Sequence, residues 1–305
     1  MTYEEKLARF NEHIEAGGKV ETEDWMPDDY RTGVLKFIEM HANSEIMGAL
    51  PERECLPAAP SLKRKMSLCA KIQDEVGHSQ LLYRVAEDLG KNRDAMYQDL
   101  VTGRSKFHNV FHYPVKNWGD VALIGWLIDG AALVTQAALL DSSYAPYTRV
   151  LKRICSEEQL HLRHGEDITL ELASGTDAQR ELFQDALNRW WLAIIHFFGP
   201  RSNVAKDLLL RWKVKTRTNE DLRQEFLDRY VPKVLELGFS FPEPVPHKEG
   251  EHWIVADEAI DWAPLDAIKR NEGPETARRL ETRRRMYEEH RWVREALSEP
   301  AIHAA

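Results

Sequence analysis

Cysteine is scarce in this chain. There are three in 305 residues, Cys55, Cys69 and Cys155, and they show neither Cys-x-x-Cys nor disulfide-framework spacing. That argues against a stapled secreted scaffold and fits a reducing cytoplasm, where the protein is expected to reside. A surplus of positive charge is missing too. Lysine and arginine number 41 against 50 aspartates and glutamates, a formal net charge of −9, so a general nucleic-acid binder is not expected. The N-terminus, Met1-Thr2-Tyr3-Glu4-Glu5-Lys6, lacks the apolar core of a signal peptide. Long apolar runs are absent with one exception, Val121 to Leu140, close to the ~20 residues that span a bilayer. That run contains Asp129, Thr135 and Gln136, and the rest of the sequence offers no second span. It reads as the buried central helix of a large bundle with one functional acid, not as a membrane helix.

What is present is an ordinary soluble composition, 43% hydrophobic and 30% charged, with ample material for a core. The expected organisation is all-α, in three parts: an N-terminal helix and linker over 1–26, a helical bundle over 27–200, and a helical C-terminal extension over 201–305. Pro27-Asp28-Asp29 starts one helix, and Pro51, Pro57 and Pro60 are expected to end it. Ser61 caps the next, which runs to about Leu89 with Gly90 as its stop. The apolar helix begins near Asn117. Leu151, Ile154, Glu158, His161, Gly165, Ile168 and Leu172 mark a further helical face, and Asp177 to Phe198 another helix with Trp190 and Trp191 as packing residues. Trp212 to Lys215 reads as helical, His252 to Val255 as at most a short strand, and Pro274 to Ser298 as one last helix. Its arginines (Arg278, Arg279, Arg283, Arg284, Arg285) are interleaved with glutamates, which suggests a solvated face or a partner contact. From Phe239 onward the aromatics and mixed charge suggest an interaction surface.

Asp74-Glu75-Val76-Gly77-His78 places a carboxylate and an imidazole three residues apart, hence on one helix face. The spacing returns at Glu157-Glu158-Gln159-Leu160-His161. Glu45 stands thirty residues before Glu75, and Asp129 twenty-nine before Glu158, each on a stripe otherwise given to the core. Ionisable groups turned into an apolar interior are costly unless compensated, and a metal ion compensates well. Any one of these residues alone reads more readily as a salt bridge or a partly exposed helix position. Together, Glu45, Glu75, His78, Asp129, Glu158 and His161 reproduce the ligand order of a di-iron or di-manganese carboxylate site in a ferritin-like four-helix bundle. Four carboxylates and two imidazoles suit iron or manganese better than zinc. Asp74 and Glu157, one residue before each ligand glutamate, are either solvated acids or acceptors for the free ring N–H of the opposite motif's histidine. Gly125 and Gly130 near Asp129 allow close helix packing or leave room for a substrate ring.

With these motifs in hand, the chain resembles the catalytic alpha subunits of the multicomponent phenylacetyl-CoA 1,2-epoxidases, over nearly its whole length. The landmarks are Asp24-Trp25-Met26-Pro27-Asp28, His41-Ala42-Asn43-Ser44-Glu45-Ile46, Gln73 to His78, Gly125-Trp126-Leu127-Ile128-Asp129-Gly130-Ala131-Ala132, Ser143-Tyr144-Ala145-Pro146-Tyr147 and Trp212-Lys213-Val214-Lys215. The resemblance implies a monooxygenase with two irons per chain, manganese remaining an alternative, that places one oxygen atom across ring carbons C1 and C2 of phenylacetyl-CoA. Electrons would come from NADPH through a flavin and iron–sulfur reductase. As partners it also implies small accessory subunits and a related non-catalytic helical subunit. The CoA ester would contact Lys36, Lys106, Phe107, His108, Asn109, His196, Lys215 and Asn219, with Lys36 in place of the family's arginine and His196 in place of its methionine. Other ferritin-like oxidases (a ferroxidase, a manganese catalase, a radical-generating ribonucleotide reductase subunit) are the alternative within enzymes. The non-catalytic partner subunit is the alternative outside them, and it should lack one or more of the six ligands.

Overall fold

Each long helix begins where the sequence satisfies or dispenses with its first N–H groups. The side chain of Ser61 accepts from the Arg64 N–H, and Asn117, Thr176 and Thr218 form capping boxes with Asp120, Gln179 and Asp221. Two further helices start without a side-chain cap, one on Pro27 with Asp28 and Asp29 in its first turn, the other with Pro146 there. The resulting structure, a computed structural model, describes residues 1–298.

The elements in order are α1 (Tyr3–Glu15), α2 (Asp28–Cys55), α3 (Leu62–Glu87), α4 (Arg93–Val101), α5 (Trp118–Leu123), a π-helical turn (Ile124–Ile128), α6 (Asp129–Leu139), α7 (Ala145–Ala173), α8 (Asp177–Phe197), α9 (Leu208–Arg211) and α10 (Asn219–Glu236). An antiparallel hairpin, β1 (His247–Glu249) with β2 (His252–Ile254), then precedes α11 (Ala263–Lys269), α12 (Thr276–Glu289) and α13 (Arg291–Ser298).

Pairwise contacts give the bundle its topology. Glu45 approaches His78 while Glu52 approaches Lys71, so α2 and α3 are antiparallel. Gly125 faces Gly165 and Gln136 faces Cys155, so the continuous helix α5–π–α6 runs antiparallel to α7. Asp74 meets His161 and Glu157 meets His78, which joins α3 to α7. The architecture is a ferritin-like bundle with additional C-terminal helices. Its apolar helix, Trp118–Leu139, is long and apolar enough to cross a membrane, but 72% of its 18-residue apolar stretch is buried inside the protein.

The glycines of that helix serve packing. A Cβ on Gly165 would stand 2.0 Å from the Gly125 carbonyl carbon, and one on Gly130 would stand 2.5 Å from the Tyr230 ring. Trp190 and Trp191 are likewise packing residues, their indole N–H groups donating to Asp120 and to the Pro244 carbonyl, both at 2.8 Å.

Several expectations need correction. α2 ends at Cys55, just before Pro57 as expected, but it runs through Pro51; that ring forgoes one backbone hydrogen bond, yet the added turn carries Glu52 to the buried Lys71. Trp212 to Lys215 is not helical. Lys213 takes a left-handed conformation (φ 53) so that Trp212 and Val214 can both bury, Trp212 against Phe10 and Tyr30. The last helix breaks at His290. Two of its arginines point inward, Arg279 onto the Phe111 and Tyr113 carbonyls and Arg283 onto the Ile46 carbonyl. Several aromatics from Phe239 onward are engaged within the chain, Phe239 on Phe183, Phe241 on Trp191 and Trp262 on His196, while Trp292 is exposed.

Candidate metal centre

The helical period puts Glu75 and His78 on the inner face of α3, and Glu158 and His161 on that of α7. α2 contributes Glu45. Asp129 enters immediately after the π turn, a distortion often found at functional sites. All six are buried, from 1% exposed for His78 to 7% for Glu45 and Glu75. Glu45, Glu75, His78 and Glu158 offer donor atoms within 4.8 Å of one another, and Asp129, Glu158 and His161 make a second such group. Glu158 is common to both, with one carboxylate oxygen 3.2 Å from His78 Nδ1 and the other 3.3 Å from His161 Nδ1.

The histidines are oriented from behind. His78 Nε2 lies 2.9 Å from Glu157, and His161 Nε2 lies 3.0 Å from Asp74. Each acid therefore serves the histidine of the opposite motif. A ring whose Nε2–H donates to a carboxylate turns the lone pair of Nδ1 toward the cluster. Both Nδ1 atoms are buried there without a hydrogen-bond partner among the described residues. Two orphaned imidazole nitrogens facing a shared carboxylate are what a pair of metal ions would satisfy.

The charges agree. Burial, together with the negative charges of Glu158 and Glu45, pushes Glu75 well above the usual carboxylate range. Burial raises Asp129 to about 7 even though Lys71 opposes it. For His78, burial is outweighed by the negative charges of Glu158 and Glu45 beside it, and its pKa rises to about 10. Without metal, then, the cluster keeps protons where cations would sit. Lys71, 4% exposed, adds a fixed positive charge: its Nζ lies 2.5 Å from Glu52, 2.6 Å from Asp129 and 4.0 Å from Glu75. Five buried carboxylates (Glu45, Glu52, Glu75, Asp129, Glu158) share the interior with this one ammonium. Two divalent cations with Lys71 would balance them. The donor set fits a ferritin-like di-metal, di-iron site.

Sequence reasoning overlooked Glu52, Lys71, His41 and Tyr147. The signals were there: Glu52 lies seven residues after Glu45, and Lys71 four before Glu75, both on the same helix face. His41, one turn before Glu45, places Nε2 2.8 Å from that carboxylate and Nδ1 2.7 Å from the buried Tyr147 hydroxyl.

A cavity of about 390 Å³ opens from the cluster. Glu45, Glu75, Asp129 and Glu158 close its inner end, and Lys215, Thr216, Arg217 and Asn219 line the end at which Thr216 is exposed. Between them the wall is mostly apolar, including Phe37, Phe111, Ile128 and Phe198. Gly48, one turn beyond Glu45, lets Phe111 approach to 3.0 Å of where a Cβ would be. Of the eight residues expected to touch a CoA ester, His108, Lys215 and Asn219 line this cavity. Phe107 and Asn109 are buried beside it, stacked on His112 and donating to the Ala193 carbonyl. Lys36 is exposed on α2, and Lys106 reaches Asn271 on the surface. His196 is turned away, its Nε2 2.7 Å from the Asp261 carbonyl and its ring against Trp262.

A family model described as "Phenylacetic acid catabolic protein" matches residues 3–292. The chain belongs to this family. Within it, the chain is 43% identical over 298 residues to a subunit of the "1,2-phenylacetyl-CoA epoxidase" of Escherichia coli (strain K12), covering 97% of this chain and 96% of that one. The ferritin-like bundle and the di-metal cluster described above thus occur in a phenylacetic acid catabolic protein.

Proposed function

We propose that this chain is the catalytic subunit of a multicomponent di-iron monooxygenase that epoxidises the aromatic ring of phenylacetyl-CoA. One atom of O₂ is added across C1 and C2, the other leaves as water, and NADPH supplies the two electrons through a separate reductase. The observation that carries the reading is the duplicated cluster with both histidine Nδ1 atoms unpartnered at the foot of a long, largely apolar cavity. Near-full-length identity to an epoxidase subunit supports the substrate.

Glu45, Glu75, His78, Asp129, Glu158 and His161 would hold the two metals, which when bound supply the redox chemistry of oxygen activation. Asp74 and Glu157 fix the histidine tautomers. Lys71 holds Glu52 and Asp129 in place. The apolar wall excludes water and seats the ring against the cluster. Lys215 and Arg217 at the outer end suit the phosphates of CoA, and Asn219 its amides. A cavity whose outer end carries Lys215 and Arg217, ion-paired with Asp207 and Glu225 and able to exchange those partners for phosphates, favours a long anionic substrate over the small ones of a ferroxidase or catalase. Association with small accessory subunits and with a related non-catalytic helical subunit belongs to the same proposal, as does a cytoplasmic setting, which the three free cysteines suit.

The test is reconstitution of the iron-loaded chain with its reductase and partner subunit. Phenylacetyl-CoA should be consumed in an O₂- and NADPH-dependent manner, and free phenylacetate very poorly. Equal turnover of both would overturn the CoA-ester reading.

A further inference from the structure

α6 runs the length of the cavity. Asp129 stands at the metal-binding end, Ala132 one turn along, Thr135 and Gln136 next, then Ala138 and Leu139. At the far end the Ala138 carbonyl accepts from Thr216 at 2.6 Å, beside Lys215. Thr135 therefore lies midway, six residues or about 9 Å along the axis from Asp129.

Its hydroxyl is one of two helical hydroxyls among the described residues that are buried and unpaired, the other being Ser79 on α3, which does not line the cavity. A threonine or serine within a helix ordinarily bonds back to the carbonyl one turn earlier. Thr169 does so to Gly165 at 2.9 Å, and Ser44 to Met40 at 2.7 Å. Thr135 Oγ1 is buried and has no hydrogen-bond partner among the described residues, although the side chain lines the cavity. A buried hydroxyl left unpaired is costly unless a ligand completes it.

Neighbouring polar groups are already committed or have the wrong polarity. The Gln136 amide lies between His41, at 3.3 Å, and the Cys155 thiol, at 3.8 Å. His108 places Nε2 3.1 Å from the Phe197 carbonyl, so that nitrogen carries the proton. Its Nδ1, also buried and unpartnered, can accept but not donate. A carbonyl oxygen needs a donor, and at this depth the free one is the Thr135 hydroxyl, which a turn about χ1 brings to the cavity wall.

We propose that the Thr135 hydroxyl donates a hydrogen bond to the thioester carbonyl of the bound acyl-CoA and so fixes how deeply the acyl group enters. This rests on the CoA-ester reading above. The carbonyl of an arylacetyl thioester is one methylene from the ring, so anchoring it sets which ring bond lies over the metal-binding end. A ring attached directly to the carbonyl falls short, and one attached through a longer chain overruns. Thr135 is then a specificity-determining residue for arylacetyl thioesters.

The test measures equilibrium binding of two probes to the metal-loaded chain in complex with its partner subunit. One is phenylacetyl-CoA; the other is S-(2-phenylethyl)-CoA, in which a methylene replaces the carbonyl. Wild type should prefer the ester by roughly three- to tenfold, the value of one neutral hydrogen bond. Thr135→Val should bind both probes alike, and Thr135→Ser should restore the preference. The product formed per O₂ consumed should fall in Thr135→Val and recover in Thr135→Ser. An unchanged ester preference in Thr135→Val, or none in wild type, overturns the inference while leaving the CoA-ester reading intact. Failure of wild type to bind either probe overturns both.

Discussion

Replacing Lys71 with methionine keeps the length of the side chain and removes its charge. In the native structure Nζ sits between Glu52, at 2.5 Å, and Asp129, at 2.6 Å, and all three side chains are at most 9% exposed. The second Glu52 oxygen has no hydrogen-bond partner among the described residues, so losing Lys71 strands that carboxylate in the interior. Breaking a buried pair from one side costs about 3–5 kcal/mol. Asp129 softens the loss: burial already holds its pKa at about 7, and without the opposing Lys71 charge it takes up a proton at neutral pH. The uncompensated charge is then chiefly that of Glu52, which points to the lower end, about 3 kcal/mol. Urea titration of the metal-free chain at pH 7, followed by far-ultraviolet circular dichroism, reads this as a lower midpoint at unchanged slope. Glu52→Gln in the Lys71→Met background should recover part of the loss, with a coupling of about 2 kcal/mol between the positions. A Lys71→Met loss under about 1 kcal/mol, or effects that simply add, would refute the view that Lys71 is a buried counter-charge.

Glu75→Ala and His161→Ala should each abolish turnover and lower the bound metal while leaving a helical protein; full activity at wild-type metal content in either variant would remove these residues from the ligand set. His78 in the metal-free protein has its pKa raised to about 10 from an ordinary value of 6.5, so the stability it contributes is fully present below about 6.5 and is lost as pH rises through 10. Metal must displace that proton, so calorimetry in buffers of different ionisation enthalpy should show proton release near pH 8, and buffer-independent heats would contradict the assignment. Lys215, 2.7 Å from Asp207, should exchange that contact for a CoA phosphate. Lys215→Ala should weaken phenylacetyl-CoA binding roughly tenfold or more, with metal content unchanged.

The six clustered residues were legible because a helix of fixed period leaves no choice of face. A glutamate and a histidine three apart, on a stripe otherwise apolar, must enter the same interior, and the second copy at matched spacing removes coincidence. Lys71 was not legible in the same way. It follows Lys63, Arg64 and Lys65 on one helix, a pattern that reads as solvated charge, and its burial depends on Glu52 and Asp129 arriving from two other helices. Pro51 misled for a related reason, since local propensity favours a stop where tertiary packing sustains one more turn. The substrate contacts separate along the same line. Lys215 and Asn219 reach the cavity, but the orientation of His196 is set by the Asp261 carbonyl and the Trp262 ring, in a segment whose path no periodicity announces.

Glu45, Glu75, His78, Asp129, Glu158 and His161 would hold two irons, and one oxygen atom of O₂ would then end on the ring of phenylacetyl-CoA. The most direct measurement is a single turnover of the iron-loaded chain with its partner subunit under ¹⁸O₂, with iron quantified per chain and the product analysed by mass spectrometry. Two irons per chain and one ¹⁸O atom in the ring-oxidised thioester are expected, both lost together in Glu75→Ala. Product oxygen derived from water, or undiminished labelled product from Glu75→Ala, would contradict that expectation.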